Sequence, residues 1–305
     1  IYIMNKLNNL TVIIVTFFTS KKILLNCLKS IDKRVKVIIV ENSSSFKDEK
    51  FFLKKFPNLK VFCSGLNLGY GGGNNFGLNK TKTDYALILN PDTILDKSFC
   101  NNLKKILKNK DFSIIGCQYS NEKIYVPAGY FDSSKDQLFK KKYFKEKFKS
   151  LIKVDWVVGC AMLLNLKKIK KKHIFDNNFF LYFEEFDLCK SLIKEKKNIY
   201  LSKDLKIHHL GFKSSQSKNA KFVHEIEKLR NWHWMWSYFY FYKKNYNYFY
   251  ALNKIFGKLS RSFFKSIFYF ITFDVNNRDK YLYRFLGLLN SIVGKKSSYR
   301  GKIFN

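Results

Sequence analysis

The chain has 305 residues, enough for one large domain or two smaller ones, and carries 57 Lys and Arg against 23 Asp and Glu, a formal charge of +34. With 46% apolar and 18% aromatic residues it can bury a core, which excludes a disordered polycation. The charge favours an anionic partner (membrane surface, nucleic acid or phosphorylated substrate), although Lys outnumbers Arg 51 to 6 in an AT-rich-type composition, so part of it reads as drift on a solvated surface.

Apolar, β-branched runs predict strands at residues 10–15, 35–40, 59–63, 85–89 and 112–115. Helix-like segments fall between them at 20–31, 46–56, 74–79 and 97–107. Short buried strands alternating with helices predict an α/β fold with a mostly parallel sheet, whose ligands sit beyond the carboxyl ends of the strands. Residues 119–152 read as an irregular Lys-rich insertion. The α/β pattern resumes with an apolar run at 156–164, a helix at 184–196 and a short strand at 199–201. Beyond Gly211 the character changes: residues 231–250 hold 12 aromatics, and a helical stripe follows. Leu252, Ile255, Phe256, Leu259, Phe263 and Ile267 share its apolar face, with Lys254, Lys258, Arg261 and Lys265 opposite. A division into 1–211 and a helical region 212–305 is expected, the latter suited to membrane association or to oligomerisation.

The six cysteines include no C-x-x-C pair and no zinc spacing with histidine, and they lie mostly in apolar runs, so reduced core thiols in a cytoplasmic protein are expected. The opening residues lack an apolar run followed by a small-residue cleavage site, and the charge-free aromatic stretch 231–242 is shorter than a membrane span. The expected location is cytoplasmic, peripheral on the inner face of the membrane.

Four constellations can carry chemistry. The segment 67–77 holds five of the 14 glycines and three Asn, but neither a dinucleotide fingerprint nor a P-loop, leaving a nucleotide or sugar contact against a tight turn. Asn90-Pro91-Asp92-Thr93 ends a strand, where Asp92 can hold a divalent cation or simply open an Asx-type turn. Glu184, Glu185 and Asp187 follow an aromatic run: a general base, or acids favoured by a helix N-terminus. His208 and His209 are metal ligands or structural hydrogen-bonders.

Taken in order, V-x-x-V-T, V-E-N-S-S, N-L-G-Y-G-G-G-N-N-F-G-L, L-N-P-D-T, W-V-V-G-C-A-M-L, F-F-L-Y-F-E-E-F-D-L-C and I-H-H-L-G resemble the inverting family 2 glycosyltransferases, in particular the bacterial rhamnosyltransferases of lipopolysaccharide and capsule synthesis. The resemblance covers about residues 10–215. It implies a GT-A fold, a dTDP- or UDP-linked sugar donor, a divalent metal (Mg or Mn) and a saccharide or lipid-linked acceptor. Thr16, Glu41, Asn42, Asn67, Gly69, Tyr70, Gly71, Asn75, Asn90 and Asp92 would contact the donor; Asp92 and His208 would share the metal. Glu185 would be the base, with Trp156, Gly159, Cys160 and Glu184 on the acceptor side. The sequence departs from the family at Phe18, usually Asn; at Glu41, usually Asp; at Asn90, in place of the first acid of the D-x-D motif; and at Glu185, usually Asp. The extra methylene of Glu185 moves its carboxylate by about 1 Å, which can cost roughly 10²-fold in rate. The pocket is then adjusted to the longer base, or the enzyme is slow, or Asp187 shares the role. A degenerate scaffold that binds a donor without transfer is the alternative from another class. A nucleic-acid-binding protein is the other, disfavoured by the scarcity of Arg and the lack of any recognised RNA- or DNA-binding motif.

Overall fold

The computed structural model describes residues 4–108, 111–120, 126–143, 150–171, 173–211 and 219–301. After a short 3-10 turn the elements are β1 (Leu10–Thr16), α1 (Lys21–Lys29), β2 (Lys36–Glu41), α2 (Glu49–Lys55), β3 (Leu59–Cys63), α3 (Gly69–Asn79), β4 (Tyr85–Leu89), β5 (Thr93–Leu95), α4 (Phe99–Ile106) and β6 (Ile114–Tyr119). Next come β7 (Ala128–Gly129), α5 (Ser133–Tyr143), β8 (Leu151–Lys153), β9 (Trp156–Val157), β10 (Ala161–Asn165), α6 (Glu184–Lys194), β11 (Ile199–His209), α7 (Ala220–Asn245), α8 (Tyr248–Ile271) and α9 (Val275–Ile292).

The main sheet runs β3-β2-β1-β4-β10-β6-β11-β5, with β8 also on β11. Its first four strands are parallel, as short apolar strands separated by helices require. β10 enters antiparallel between β4 and β6, so the sheet is mixed rather than uniformly parallel. β11 is longer than the three-residue strand expected, because a bulge between Ser202 and Lys206 absorbs the polar Lys203-Asp204 step and lets pairing resume. Part of the Lys-rich insertion, 121–125 and 144–149, lies outside the described residues; the rest forms β7, α5 and β8.

The helix expected from Asn74 starts at Gly69, so most of the glycine segment is helical. Glycine is a poor helix former, which hides the helix in the sequence. Its use is close approach: a Cβ at Gly77 would come within 2.6 Å of Ile13, and one at Gly73 within 2.8 Å of Val15.

Contacts divide the chain into two units. One comprises Ile1–Leu68, Gly72–Phe175 and Leu188–Ser215; the other comprises Gly69–Gly71, Asp176–Asp187 and Gln216–Asn305. The first is built on the sheet, with a core that includes Ile14, Leu24, Ile39, Leu89, Leu103 and Ile207. The second is helical. Met235, Phe239, Ala251, Ile255 and Leu288 form the core among α7, α8 and α9. The second unit therefore takes in two short segments from before residue 211: side chains of α7 reach Asp176–Asp187 directly, and Gly69–Gly71 is tied to that segment by the Tyr70 N–H donating to the Phe180 carbonyl. Lys244 pairs with both Asp176 and Asp187 at 2.7 Å, and Ser237 donates to the Leu181 carbonyl at 2.8 Å.

Candidate functional site

In the first unit four of the expected donor residues, Thr16, Glu41, Asn42 and Asn67, come together at the carboxyl ends of β1 and β2. Thr16 and Glu41 are register partners, and the Thr16 hydroxyl donates to Glu41 Oε2 at 2.6 Å while Ser43 donates to Oε1 at 2.9 Å. Burial pushes the Glu41 carboxyl up, and these two hydrogen bonds oppose it. Asn42 donates through Nδ2 to Asn67 Oδ1 at 3.4 Å and accepts from Ser64 at 3.3 Å. Asn75 is engaged elsewhere. Its amide donates to the Phe175 carbonyl at 2.8 Å and accepts the Phe175 N–H at 3.0 Å, so it fastens the loop at 175. Phe18, exposed after β1, adopts φ +52°, a left-handed turn uncommon for an aromatic residue.

Asp92 sits in the turn between β4 and β5 and is buried. The histidine facing it is His209, with Nε2 3.3 Å from Asp92 Oδ1; His208 instead lies 3.9 Å from Asp96 and is more than half exposed. The imidazole beside Asp92 is thus that of His209, the neighbour of the expected His208. Successive side chains on β11 leave opposite faces, and the pairing of His209 with Thr93 turns the second imidazole inward. Tyr119 stacks on His209 with centroids 6.0 Å apart and its hydroxyl meets Cys160 Sγ at 3.4 Å. The Cys160 carbonyl accepts the Asn90 N–H at 2.9 Å. Cys160, Asn90, Asp92 and His209 thus form one connected corner. Trp156 is buried away from solvent, donates from Nε1 to the Tyr130 carbonyl at 3.3 Å and packs on Gly129. Gly159 lies in the turn before β10.

The apposition of a carboxylate oxygen and an imidazole nitrogen suits a divalent cation. His209 Nε2 is buried with no hydrogen-bond partner among the described residues, and both atoms offer lone pairs. No group of three or more His, Cys, Asp or Glu with metal-binding geometry occurs among the described residues. A cation here would need further ligands from a substrate.

In the second unit Tyr182 and Phe183 both have positive φ, 70° and 69°, and deliver Glu184 and Glu185 to the first turn of α6. Two consecutive left-handed aromatics cost about 1–3 kcal/mol each, and the surroundings fix them. Phe183 lies among Trp234, Tyr238 and Phe241 with centroids 5.3–5.6 Å apart, and Tyr182 meets Trp234 edge-on at 5.1 Å. Glu184 is buried and its Oε2 has no hydrogen-bond partner among the described residues. Burial, then the neighbouring Glu185 charge, pushes its carboxyl well above the usual range. Glu185 is partly covered and the more moderate of the two: desolvation pushes it up to about 7 against the helix N-terminal amides.

Asp187, expected to share the role of base, is already engaged. Its carboxylate oxygens are held by Lys244 at 2.7 Å and by the Asn245 amide at 2.9 Å. The same unit contains the start of the glycine helix. Gly69, φ +75°, leaves no room for a Cβ, which would fall 2.1 Å from the Phe180 carbonyl oxygen; Tyr70 follows it, with Gly71 buried next.

Sequence reasoning did not single out His233 or Arg300. The Arg300 guanidinium lies 3.7 Å over the Phe180 ring, and the His233 ring is 4.5 Å from Phe180. Neither belongs to a motif, and nothing local in the sequence marks a contact made by the chain's last described residues.

Residues 11–171, more than half the chain, match the family model of Glycosyl transferase family 2. The low-salt glycan biosynthesis hexosyltransferase Agl10 of Haloferax volcanii is 27% identical over 201 residues, 63% of this chain and 64% of its own. Rhamnosyltransferase WbbL of Escherichia coli is 28% identical over 187 residues, 55% of this chain and 70% of its own. The chain thus spans a little under two thirds of the length of the first of these relatives. Among solved structures, mannosyltransferase PcManGT from Pyrobaculum calidifontis, in complex with GDP-Man and Mn2+, aligns with a TM-score of 0.56 at 11% identity, over 94% of this chain and 88% of that one. GalNAc-T7 with UDP, GalNAc and Mn2+ aligns at 0.50 and 13% identity, over 75% of this chain and 50% of that one. At these identities the likeness is one of fold, the GT-A fold.

Proposed function

Because this chain belongs to glycosyl transferase family 2, we propose that it moves a sugar from a nucleotide-sugar donor to a saccharide or lipid-linked saccharide acceptor, with inversion at the anomeric carbon. The observation that carries the reading is the Glu184–Glu185 pair: two adjacent carboxyls in the first turn of α6, Glu184 buried and Glu185 partly covered, both pushed up by desolvation. Glu185 takes the acceptor hydroxyl proton as the oxygen forms its bond to the anomeric carbon, and the bond to the nucleoside diphosphate breaks with its electron pair leaving on the diphosphate. Glu184 stays protonated through this step, so only one charge occupies the pair.

Asp92 and His209 would hold the divalent cation, Mg or Mn, whose charge offsets that building on the departing diphosphate. Glu41, held by Thr16 and Ser43, and Asn42 would receive the nucleoside end of a dTDP- or UDP-linked donor. The names of the relatives, a hexosyltransferase of glycan biosynthesis and a rhamnosyltransferase, support a hexosyl or rhamnosyl donor and a role in glycan assembly; the motif series is what favours lipopolysaccharide or capsule as its product.

A panel of nucleotide sugars incubated with and without Mg2+ or Mn2+ and a set of saccharide and lipid-linked acceptors tests the proposal. One donor is expected to be transferred in a metal-dependent way, giving a product of inverted anomeric configuration. Donor binding with no transfer to any acceptor would favour the degenerate scaffold.

A further inference from the structure

α8 divides its surface into three faces. Ala251, Ile255, Ser262 and Ser266 are buried against the other helices of their unit, with Leu252 and Leu259 beside them. The stripe expected from sequence is therefore split: Leu252, Ile255 and Leu259 pack inward, Phe263 meets Phe285 of α9 with centroids 5.4 Å apart while staying partly in solvent, and Phe256 and Ile267 are exposed. Phe256 is 71% exposed, Phe264 67%, Phe268 58% and Ile271 67%, and Phe273 just beyond the helix is 89% exposed. The third face holds Lys254, Lys258, Arg261 and Lys265, all exposed, and α8 contains no acidic residue.

At about 100° per residue, the direction opposite the packed seam falls on the aromatic face, and the basic face lies on one flank, roughly 100° further round the helix. The aromatic face therefore opens outward and the basic side chains border it along one side. The small residues on the seam place the helix close to its neighbours while its aromatics stay in solvent. Monomeric proteins rarely expose a contiguous apolar patch of this kind without a partner.

We propose that α8 docks on an anionic lipid bilayer, its aromatic face entering the headgroup region and its basic face meeting the lipid phosphates. Charge decides this occupant over a second copy of the chain. Two apposed copies of α8 would bring basic stripes together with no acids to answer them, whereas an anionic leaflet answers them directly. No described helix is long and apolar enough to cross a membrane, so the contact lies along the surface. The inference rests on α8 alone and does not depend on the transfer reaction.

Flotation of the full chain with phosphatidylcholine vesicles containing phosphatidylglycerol, against pure phosphatidylcholine vesicles, is the test. The chain is expected to float with the anionic vesicles, weakly with the neutral ones, and less as salt rises. Combined Phe256→Ser, Phe264→Ser and Phe268→Ser should cut the bound fraction by about tenfold or more. Combined Lys254→Gln and Lys258→Gln should cut it by about fivefold per charge removed. These positions are exposed, so both variants should melt like the parent chain. Equal flotation with both vesicle types, or aromatic variants that float like the parent, would overturn the proposal. So would sedimentation showing a lipid-independent dimer that the aromatic substitutions dissociate.

Discussion

The Phe180 carbonyl accepts the Tyr70 N–H at 2.9 Å, joining the start of α3 to the segment that leads into Glu184. The contact requires glycine at the preceding position. A methyl group on Gly69 would meet that carbonyl at 2.1 Å, in a backbone conformation already at φ +75°. Gly69→Ala is therefore expected to lower stability by about 2 kcal/mol or more and to weaken transfer further, by displacing Phe180. Chemical denaturation measures the first effect and initial rates at saturating donor the second. An alanine variant as stable and active as the parent would remove Phe180 from the account.

Two buried groups give the stability of the second unit opposite pH slopes. His233 Nε2 faces the Tyr299 carbonyl at 2.7 Å, an acceptor only, so Nε2 carries the proton and Nδ1 accepts from the Ser297 hydroxyl at 2.9 Å. Burial holds the ring neutral, with its pKa pushed down to about 3. The unfolded chain binds a proton near pH 6.5 and the folded one does not, so this contribution is lost as pH falls from about 6.5 towards 3. Glu184 behaves in the reverse way: the folded state keeps a proton that the unfolded chain releases, so its contribution is lost as pH rises above about 4.5. Glu184→Gln is expected to melt higher than the parent above neutral pH, by up to about 1.4 kcal/mol per pH unit, with the gap closing near pH 4. His233→Asn should flatten the acid side. Thermal melts across pH 4–9 for the parent and both variants check the two slopes separately.

Asp92 and His209 make a sharp comparison with His208. Asp92→Asn and His209→Ala should each weaken Mn2+-dependent donor binding by about tenfold to a hundredfold, while His208→Ala, at an exposed position, should leave it near the parent value. Titration calorimetry of a nucleoside diphosphate with and without Mn2+ reads this without reference to turnover. Equal losses at the two histidines would show that strand register does not select between them.

The parallel strands were legible because β-branched runs bounded by helices have few other solutions, and their ends carried Thr16, Glu41 and Asp92 as expected. What the sequence hid follows from long-range geometry. Which of His208 and His209 lies beside Asp92 depends on the pairing of β11 with β5, a matter of register that adjacent residues cannot reveal. The two hydrogen bonds of the Asn75 amide to Phe175, a residue 100 positions away, are likewise invisible in a local glycine-rich pattern. The amphipathic character of α8 is legible in the spacing of its apolar and basic residues. Only packing could say which part of it is covered, and small residues, not the largest ones, proved to be the seam.

Glu185 makes the most direct demand on the proposed chemistry. A base must be ionised before it can accept the acceptor proton, and desolvation raises this carboxyl to about 7. The rate at low substrate is therefore expected to climb with pH through an ascending limb centred near 7, two or more units above an ordinary glutamate. Glu185→Gln keeps the shape and removes the basicity, so transfer should fall by about 10²–10⁴-fold with donor affinity nearly unchanged. Glu185→Asp separates the explanations of the longer side chain. If the pocket is built around glutamate, shortening it withdraws the carboxylate by about 1 Å and costs roughly 10²-fold; if the glutamate is a compromise, aspartate should be faster than the parent. Glu184→Gln is the control, because a neutral residue already occupies that position at pH 7 and the limb should stay where it is. A limb that moves with Glu184→Gln but survives Glu185→Gln would transfer the role of base to Glu184.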